Sequence, residues 1–299
     1  MSFPPSSKAP DTSIHPRVRF VSPSVLTVTT LLSTIFVFYY RLWVPDLVLI
    51  KRDAFKYFLP LKQYLAERLS AGELPQWFPY EAMGRPFIAV VNTGVFHPST
   101  ALYLLFSVSN AYRISTLLSY LLAALGAYVL GRRLGLSYAG SLLAGITFTL
   151  SGYLVSLSDS VNYLYSICLI PFFCASLDRS LAESPGWTAV PAALWASVFL
   201  MGDVQTGYYY LFLAVLWTAA RARGNCLAAL GRLALIGLLA LLLAGIQLGP
   251  AWATFEESDR TQPALFREQA LHWSTHPLRL ITVLASPVGE YKDLTEIGR

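Results

Sequence analysis

Charge is scarce in this chain of 299 residues: Asp, Glu, Lys and Arg make up 13% of it, against 55% apolar residues. So little charge on a chain of this length excludes a disordered polyelectrolyte and argues against an ordinary water-facing surface. Cysteine is scarce too. Cys168, Cys174 and Cys226 form no CxxC pair and no metal-ligand spacing, which excludes a disulfide scaffold and a structural zinc module. Cys168 and Cys174 fall on different faces of an apolar run and read as small packing residues. The run after Arg17 and Arg19 has no small-residue cleavage site, so it is read as an anchor and not as a signal peptide. There is also no clear internal repeat of the kind found in many transporters.

Long apolar runs are what the sequence has in abundance, with a mean hydropathy of +0.51. Charge-poor segments of membrane-crossing length predict an all-α polytopic membrane protein. We place about seven spans at 24–40, 111–130, 138–157, 161–177, 187–201, 204–220 and 228–248. Basic residues alternate between the connections: Lys8, Arg17 and Arg19, then Arg132 and Arg133, then Arg179, then Arg221, Arg223 and Arg232. The positive-inside rule puts these connections, and the amino terminus, in the cytoplasm, and it accounts for the net charge of +5 without any nucleic-acid partner. The expected organisation is a disordered cytoplasmic tail at 1–23, a transmembrane domain at 24–249 with an outer loop at 41–110, and an extracytoplasmic segment at 250–299. The run from Leu278 to Val288 is too short to span, so the chain is expected to be a fragment or a truncated paralogue.

Most of the acids fall on the face opposite the basic connections. Asp53, Asp159, Asp203 beside Gln205, and Glu256 with Glu257, Asp259 and Arg260 all belong there, which suits either an outward polar site or a solvated surface. Asp159 and Asp203 each stand at the start of a span, where capping and substrate contact are alternative readings.

The long polar segment from Asp53 to Pro98 is where we place the chemistry. From Ala54 to Ala71, apolar Phe55, Phe58, Leu59, Leu65 and Leu69 alternate with Lys62, Glu67 and Arg68, predicting an interfacial helix with its polar face outward and Pro60 near its start. Asp53 just ahead of it is a candidate N-cap, and also a rigidly held base or metal ligand. The following GELPQWFPYEAMGRP is dense in Gly and Pro, which predicts an irregular path. Trp77, Phe78 and Tyr80 suit an aromatic belt or a platform for a sugar, and Arg85 suits a phosphate or anionic headgroups.

These residues resemble the first outer loop of YfhO-like bacterial membrane proteins, of the GT-C class of polyprenyl-phosphate-sugar-dependent glycosyltransferases. The likeness rests on the leading Asp53, Phe58-Leu59-Pro60, Gly72-x-Leu-Pro-x-Trp-x-Pro-Tyr80, Met83-Gly-x-Pro86, Asn92-x-Gly94 and Phe96-His97-Pro98-x-x-x-Leu102-Tyr103. Later landmarks are Gly202-x-x-Gln205-x-x-Tyr208 and Gln247-x-x-Pro250, followed by Glu256, Ser258 and Arg260. The resemblance implies a bacterial inner-membrane transferase that moves a sugar from a polyprenyl-phosphate carrier to an extracytoplasmic acceptor. Asp53 is then the catalytic base, or the ligand of a divalent metal (Mg or Mn). Arg260, Arg85, Lys51 or Arg52 would meet the departing phosphate, with Trp77, Tyr80, Asp159, Asp203, Gln205 and Glu256 as further substrate contacts.

Two other classes stay open, a noncatalytic assembly protein or truncated remnant and a lipid-carrier transporter or flippase. His272 and His276 stand four apart, but Pro277 and the lack of an acid partner favour surface contact over metal. His97, in a Pro-bounded turn, reads as structural. The alternating arginines generate a topological prediction. Single cysteines at Ser70 and Ala222 should react with an impermeant thiol reagent from opposite sides of the membrane, and reaction from one side would refute the topology.

Overall fold

The computed structural model describes residues 22–44, 53–81, 83–221, 226–258 and 261. Apart from a hairpin of two-residue strands its regular structure is helical, and four helices among the described residues are long and apolar enough to cross a membrane. In chain order the helices are α1 (Pro23–Phe38), α2 (Leu59–Ser70), α3 (Thr100–Leu105), α4 (Val108–Arg133), α5 (Tyr138–Thr149), α6 (Gly152–Ser156), α7 (Val161–Cys168), α8 (Ile170–Ala182), α9 (Ala189–Met201), α10 (Val204–Arg221) and α11 (Cys226–Glu256). Strands β1 (Trp77–Phe78) and β2 (Arg85–Pro86) pair antiparallel, so the Gly- and Pro-rich stretch is not wholly irregular as expected.

The crossing candidates are α4, the run from α5 to Asp159, the run of α7 and α8, and α11. Helices α1 and α9 are apolar but shorter. At the centre stand α4 and the α7–α8 run, with 61% and 72% of their most apolar stretches buried, against 22% for α11. The burial pattern of α11 explains its place. Ala229, Leu233, Ile236, Ala240, Ala244 and Gln247 form one stripe at intervals of three and four residues, while Leu235, Leu238, Leu242 and Ile246 are exposed. Three alanines in this six-residue seam allow close approach to α9, and the leucine face suits hydrocarbon. This helix continues through Pro250 to Glu256, beyond the expected end at residue 248.

Breaks in the apolar helices are closed by hydroxyls from neighbours. Where α5 gives way to α6, Tyr39 donates to the Thr149 carbonyl at 3.2 Å and Tyr120 to the Leu154 carbonyl at 3.1 Å. Between α7 and α8, near Pro171, Tyr210 donates to the Ser166 carbonyl at 2.7 Å. Carbonyls freed by a helix break in an apolar setting need such partners, since no water is there to serve them.

The helix ends gather into two unlike groups. At the arginine end, Arg133 and Arg221 both reach Asp178, each at 2.6 Å, and Arg232 donates to the carbonyls of Ser180 and Leu181. At the other, the loop end, the long segment between α2 and α4 is folded down onto the starts and stops of α4, α7, α9 and α11. Contact is closest at Gly202, between α9 and α10, where φ is +99° and a Cβ would lie 2.3 Å from the Val91 carbonyl oxygen. Gly72 also has positive φ, +76°, but nothing lies within 4 Å of its would-be Cβ.

This difference sets up a matched pair of substitutions. Gly72→Ala should cost about 1 kcal/mol through backbone strain alone, whereas Gly202→Ala should cost at least about 3 kcal/mol by also displacing the loop. Thermal unfolding of the purified variants reads the difference, and equal losses would show that the loop is not pressed onto Gly202.

Candidate functional site

The loop reaches the helix ends as irregular backbone, and its carbonyls are taken up one after another. Gln247 Nε2 donates to the Ile88 carbonyl at 2.6 Å, and the Thr93 hydroxyl to Val90 at 2.8 Å. Gly94 N donates to Val91 at 3.2 Å, and Asn162 Nδ2 to Asn92 at 3.2 Å. Lys62 Nζ donates to Thr93 at 2.6 Å, and the Thr100 hydroxyl to Gly94 at 2.7 Å. Buried peptide oxygens without partners are costly, so these side chains are what allow a non-helical segment to be buried there. Arg113 of α4 serves the Val44 carbonyl in the same way.

Lys62 overturns one expectation. It does not stand on an outward polar face of α2; it is 0% exposed, on the stripe with Phe58, Leu61, Leu65 and Ala66. Its position four after Phe58 and three before Leu65 is the signal that places it there. Besides Thr93, its ammonium faces the Tyr103 ring at 5.3 Å. Desolvation lowers its pKa from 10.5 to about 8. Beside it, His97 holds Ser99 through Nδ1 at 2.7 Å and meets the Tyr165 ring edge-on, while its Nε2 is buried without a partner. Burial first, and then the Lys62 charge, push the His97 pKa down to about 3, so the ring is neutral. That agrees with its reading as a structural residue.

The acids arrive at this end from separate segments. Asp53 is exposed at the head of a single π-helical turn, Ala54–Phe58, that runs into α2, and its side chain makes no capping hydrogen bond. Asp159 is buried in the turn before α7, where its carbonyl accepts from the Tyr112 hydroxyl at 3.0 Å. Asp203 caps α10, its Oδ1 accepting from Thr206 N at 2.9 Å, as the capping reading anticipated. Its Oδ2 is buried without a partner near Ser166, whose hydroxyl is already given to the Asn162 carbonyl. Desolvation raises the Asp203 pKa against the opposing pull of the Thr206 hydrogen bonds.

The segments that carry these acids pack together. Ala54, Tyr112, Val161 and Met201 belong to one buried cluster, with Tyr57 packed against it. Asp53, Asp159 and Asp203 each stand within two residues of a member of that cluster. The Arg85 guanidinium lies 5.7 Å from the centre of the Tyr57 ring and is steadied by Glu81 at 2.6 Å.

The other candidates have partners of their own. Gln205 is exposed on α10, donating to the Tyr209 hydroxyl at 2.9 Å, and Glu256 is exposed at the end of α11, accepting from Trp252 Nε1 at 2.8 Å. Trp77 and Tyr80 line an open groove of about 430 Å³ with Tyr64, Arg68 and Gln76. Arg260, Lys51, Arg52, His272 and His276 lie outside the described residues. Among the described residues no three His, Cys, Asp or Glu side chains stand close enough to share a metal ion.

No protein-family model, curated protein or solved structure matches the chain. The likeness to YfhO-like proteins accordingly stands on the quoted residues alone. Several of those residues, Asn92, Gly94, His97, Gly202 and Gln247, are the ones that dock the loop.

Lys62 gives this docking a pH signature. Its pKa is lowered in the folded chain, so between about 8 and 10.5 the unfolded chain binds more protons and stability must rise with pH. His97 and Tyr103, the titratable groups beside it, stay neutral across that window. Relative to Lys62→Met, the native chain should gain at most about 3 kcal/mol from pH 8 to 10.5, read from denaturant unfolding at each pH. A flat difference would show that Lys62 is not buried.

Proposed function

We propose that the chain is a membrane glycosyltransferase of the GT-C class, transferring a sugar from a polyprenyl-phosphate carrier to an extracytoplasmic acceptor. In this reading seven helical passes cross a bacterial inner membrane, with the amino terminus in the cytoplasm and the loop end outside. What supports it most is that the three separate segments carrying Asp53, Asp159 and Asp203 pack into one buried cluster through Ala54, Val161 and Met201, with Arg85 against the adjoining Tyr57 ring. Packing alone rarely requires acids to gather in this way.

Asp53 is the base, because it is exposed to an incoming acceptor and its carboxylate is not consumed by capping. It takes the proton of the acceptor hydroxyl as that oxygen bonds to the anomeric carbon, while the bond from that carbon to the carrier phosphate oxygen breaks. A guanidinium takes up the charge developing on the departing phosphate, Arg85 from the described residues or Arg260 beyond them. A divalent cation held between Asp53 and the phosphate would supply further neutralisation. Buried Asp203 and Asp159 hold the helix starts that frame the region. Trp77 and Tyr80, in their open groove, offer aromatic faces for a sugar of the donor or acceptor.

The docking role of the shared landmark residues favours one alternative, a noncatalytic assembly protein that retains the loop for its shape. The two readings part at Asp53→Asn. Transfer from a polyprenyl-phosphate sugar to a membrane acceptor should fall by about 100-fold or more, with expression and unfolding temperature unchanged. Arg260→Lys should mainly weaken donor binding, raising KM, because lysine keeps the charge and loses the two-pronged grip. Transfer undiminished in Asp53→Asn would defeat the catalytic assignment.

A further inference from the structure

The arginine end carries a second cavity, of about 510 Å³, between α4, α8 and the start of α9. Its walls are apolar, with Phe172, Ala175 and Leu194 at the back and Val129 and Val190, both well exposed, at its lateral mouth. Its rim is cationic: Arg132, Arg133 and Arg179 all line it. The volume is that of ligand pockets, roughly 300–1,000 Å³.

The three guanidiniums are not equally committed. Arg133 is held between Asp178, at 2.6 Å, and Glu183. Arg179 shares Glu183 at 3.4 Å and stacks on Trp187 with its Cζ 4.2 Å from the ring centre. Arg132 meets only neutral groups among the described residues, the Leu136 carbonyl and the Tyr138 ring, at 3.9 Å. Counting the neighbours Arg221 and Arg232, five arginines face two carboxylates, Asp178 and Glu183, so the cluster keeps an excess of positive charge. Trp187 and Tyr138 beside them have the amphipathic character of residues at the headgroup level.

We propose that this cavity is a binding site for an anionic phospholipid, with an acyl chain between Val129 and Val190 and the phosphate held by Arg132 and Arg179. Apolar walls opening sideways onto the helix surface select a hydrocarbon chain. An uncompensated cationic rim selects a negative headgroup over a zwitterionic one. The site is at the opposite end from the acids, and rests on the membrane placement of the helices, not on the transfer reaction. It gives the arginine end an anchor to the leaflet that faces it.

The test is native mass spectrometry of the full chain released from detergent containing equal phosphatidylglycerol and phosphatidylcholine. The native chain should retain one phosphatidylglycerol in preference to phosphatidylcholine. Arg132→Gln with Arg179→Gln, both at the surface, should reduce that preference by about tenfold or more. Val129→Trp, which narrows the cavity and keeps all three arginines, should reduce retention of both lipids. Equal retention of the two lipids by the native chain, or an unchanged preference in the double variant, overturns the proposal. So does displacement of the lipid by millimolar inorganic phosphate, which would show a bare anion site, or preferential retention of a polyprenyl phosphate, which would assign the cavity to a carrier. Because these readouts use no sugar transfer, their failure is distinguishable from failure of the transferase reading.

Discussion

A buried peptide oxygen must have a hydrogen-bond donor, and at the loop end that requirement organises everything else. The stretch from Ile88 to Gly94 is neither helix throughout nor sheet, yet it is laid across the ends of apolar helices. Three of its carbonyls are met by long polar side chains rooted in other elements: Gln247 in α11, Asn162 in α7 and Lys62 in α2. Each of these is essentially fully buried, at 0%, 1% and 0% exposure. An isolated amide or ammonium on an apolar helix would be destabilising, and here each nitrogen is offset by the carbonyl it serves, although the amide oxygens of Asn162 and Gln247 stay buried without a partner. Gly202 completes the fit by having no side chain where the loop passes closest.

Docking of the loop is also what assembles the acidic region. Asp53 enters on the π-helical turn ahead of α2, and α2 is pinned by Lys62 to Thr93. The same segment is tied to α7 by Asn162, one turn from Asp159, and abuts Gly202, the residue before Asp203. Asn162 stands three residues from Asp159 and Gly202 one residue from Asp203, whereas Asp53 is nine residues from Lys62, through the π-helical turn and the start of α2. In the proposed transfer reaction such preorganisation would serve the base, since a misplaced carboxylate loses its reach to the acceptor proton. Substitution of Lys62, Asn162 or Gln247 would loosen the loop backbone that these segments share.

Much of this was legible in the sequence at the level of elements. The apolar runs mark where helices lie, because a backbone out of water has few other ways to satisfy itself. Of the starts, Asp203 was legible as a cap and accepts from Thr206 N, whereas the serines that cap α1, α5 and α6, Ser22, Ser137 and Ser151, show only in the structure. Runs read as single spans contain breaks at Leu150 and Leu169 that the pattern of apolar residues does not show, because tyrosine hydroxyls from other helices close them. Lys62 was misread for a related reason. A lysine among leucines looks like the edge of a wet face until the distant carbonyl that receives it is known. The number of crossings was likewise beyond reach of pattern alone, since α1 and α9 are apolar but short and owe their place to packing.

The unequal burial of α11 bears on how the candidate residues divide. Its stripe, half of it alanine, holds it to α9, but its leucine face is bare, and at the loop end Gln247 is its polar tie to the loop through Ile88. Beyond Gln247 the helix runs on past Pro250, and its tip is held locally, Trp252 to Glu256 within one turn. Glu256 is therefore positioned by its own helix, whereas the segments that carry Asp159 and Asp203 are met by the loop. Loss of the single Gln247 hydrogen bond would free the tip of α11 from the loop while leaving Trp252 on Glu256 and the packed seam in place.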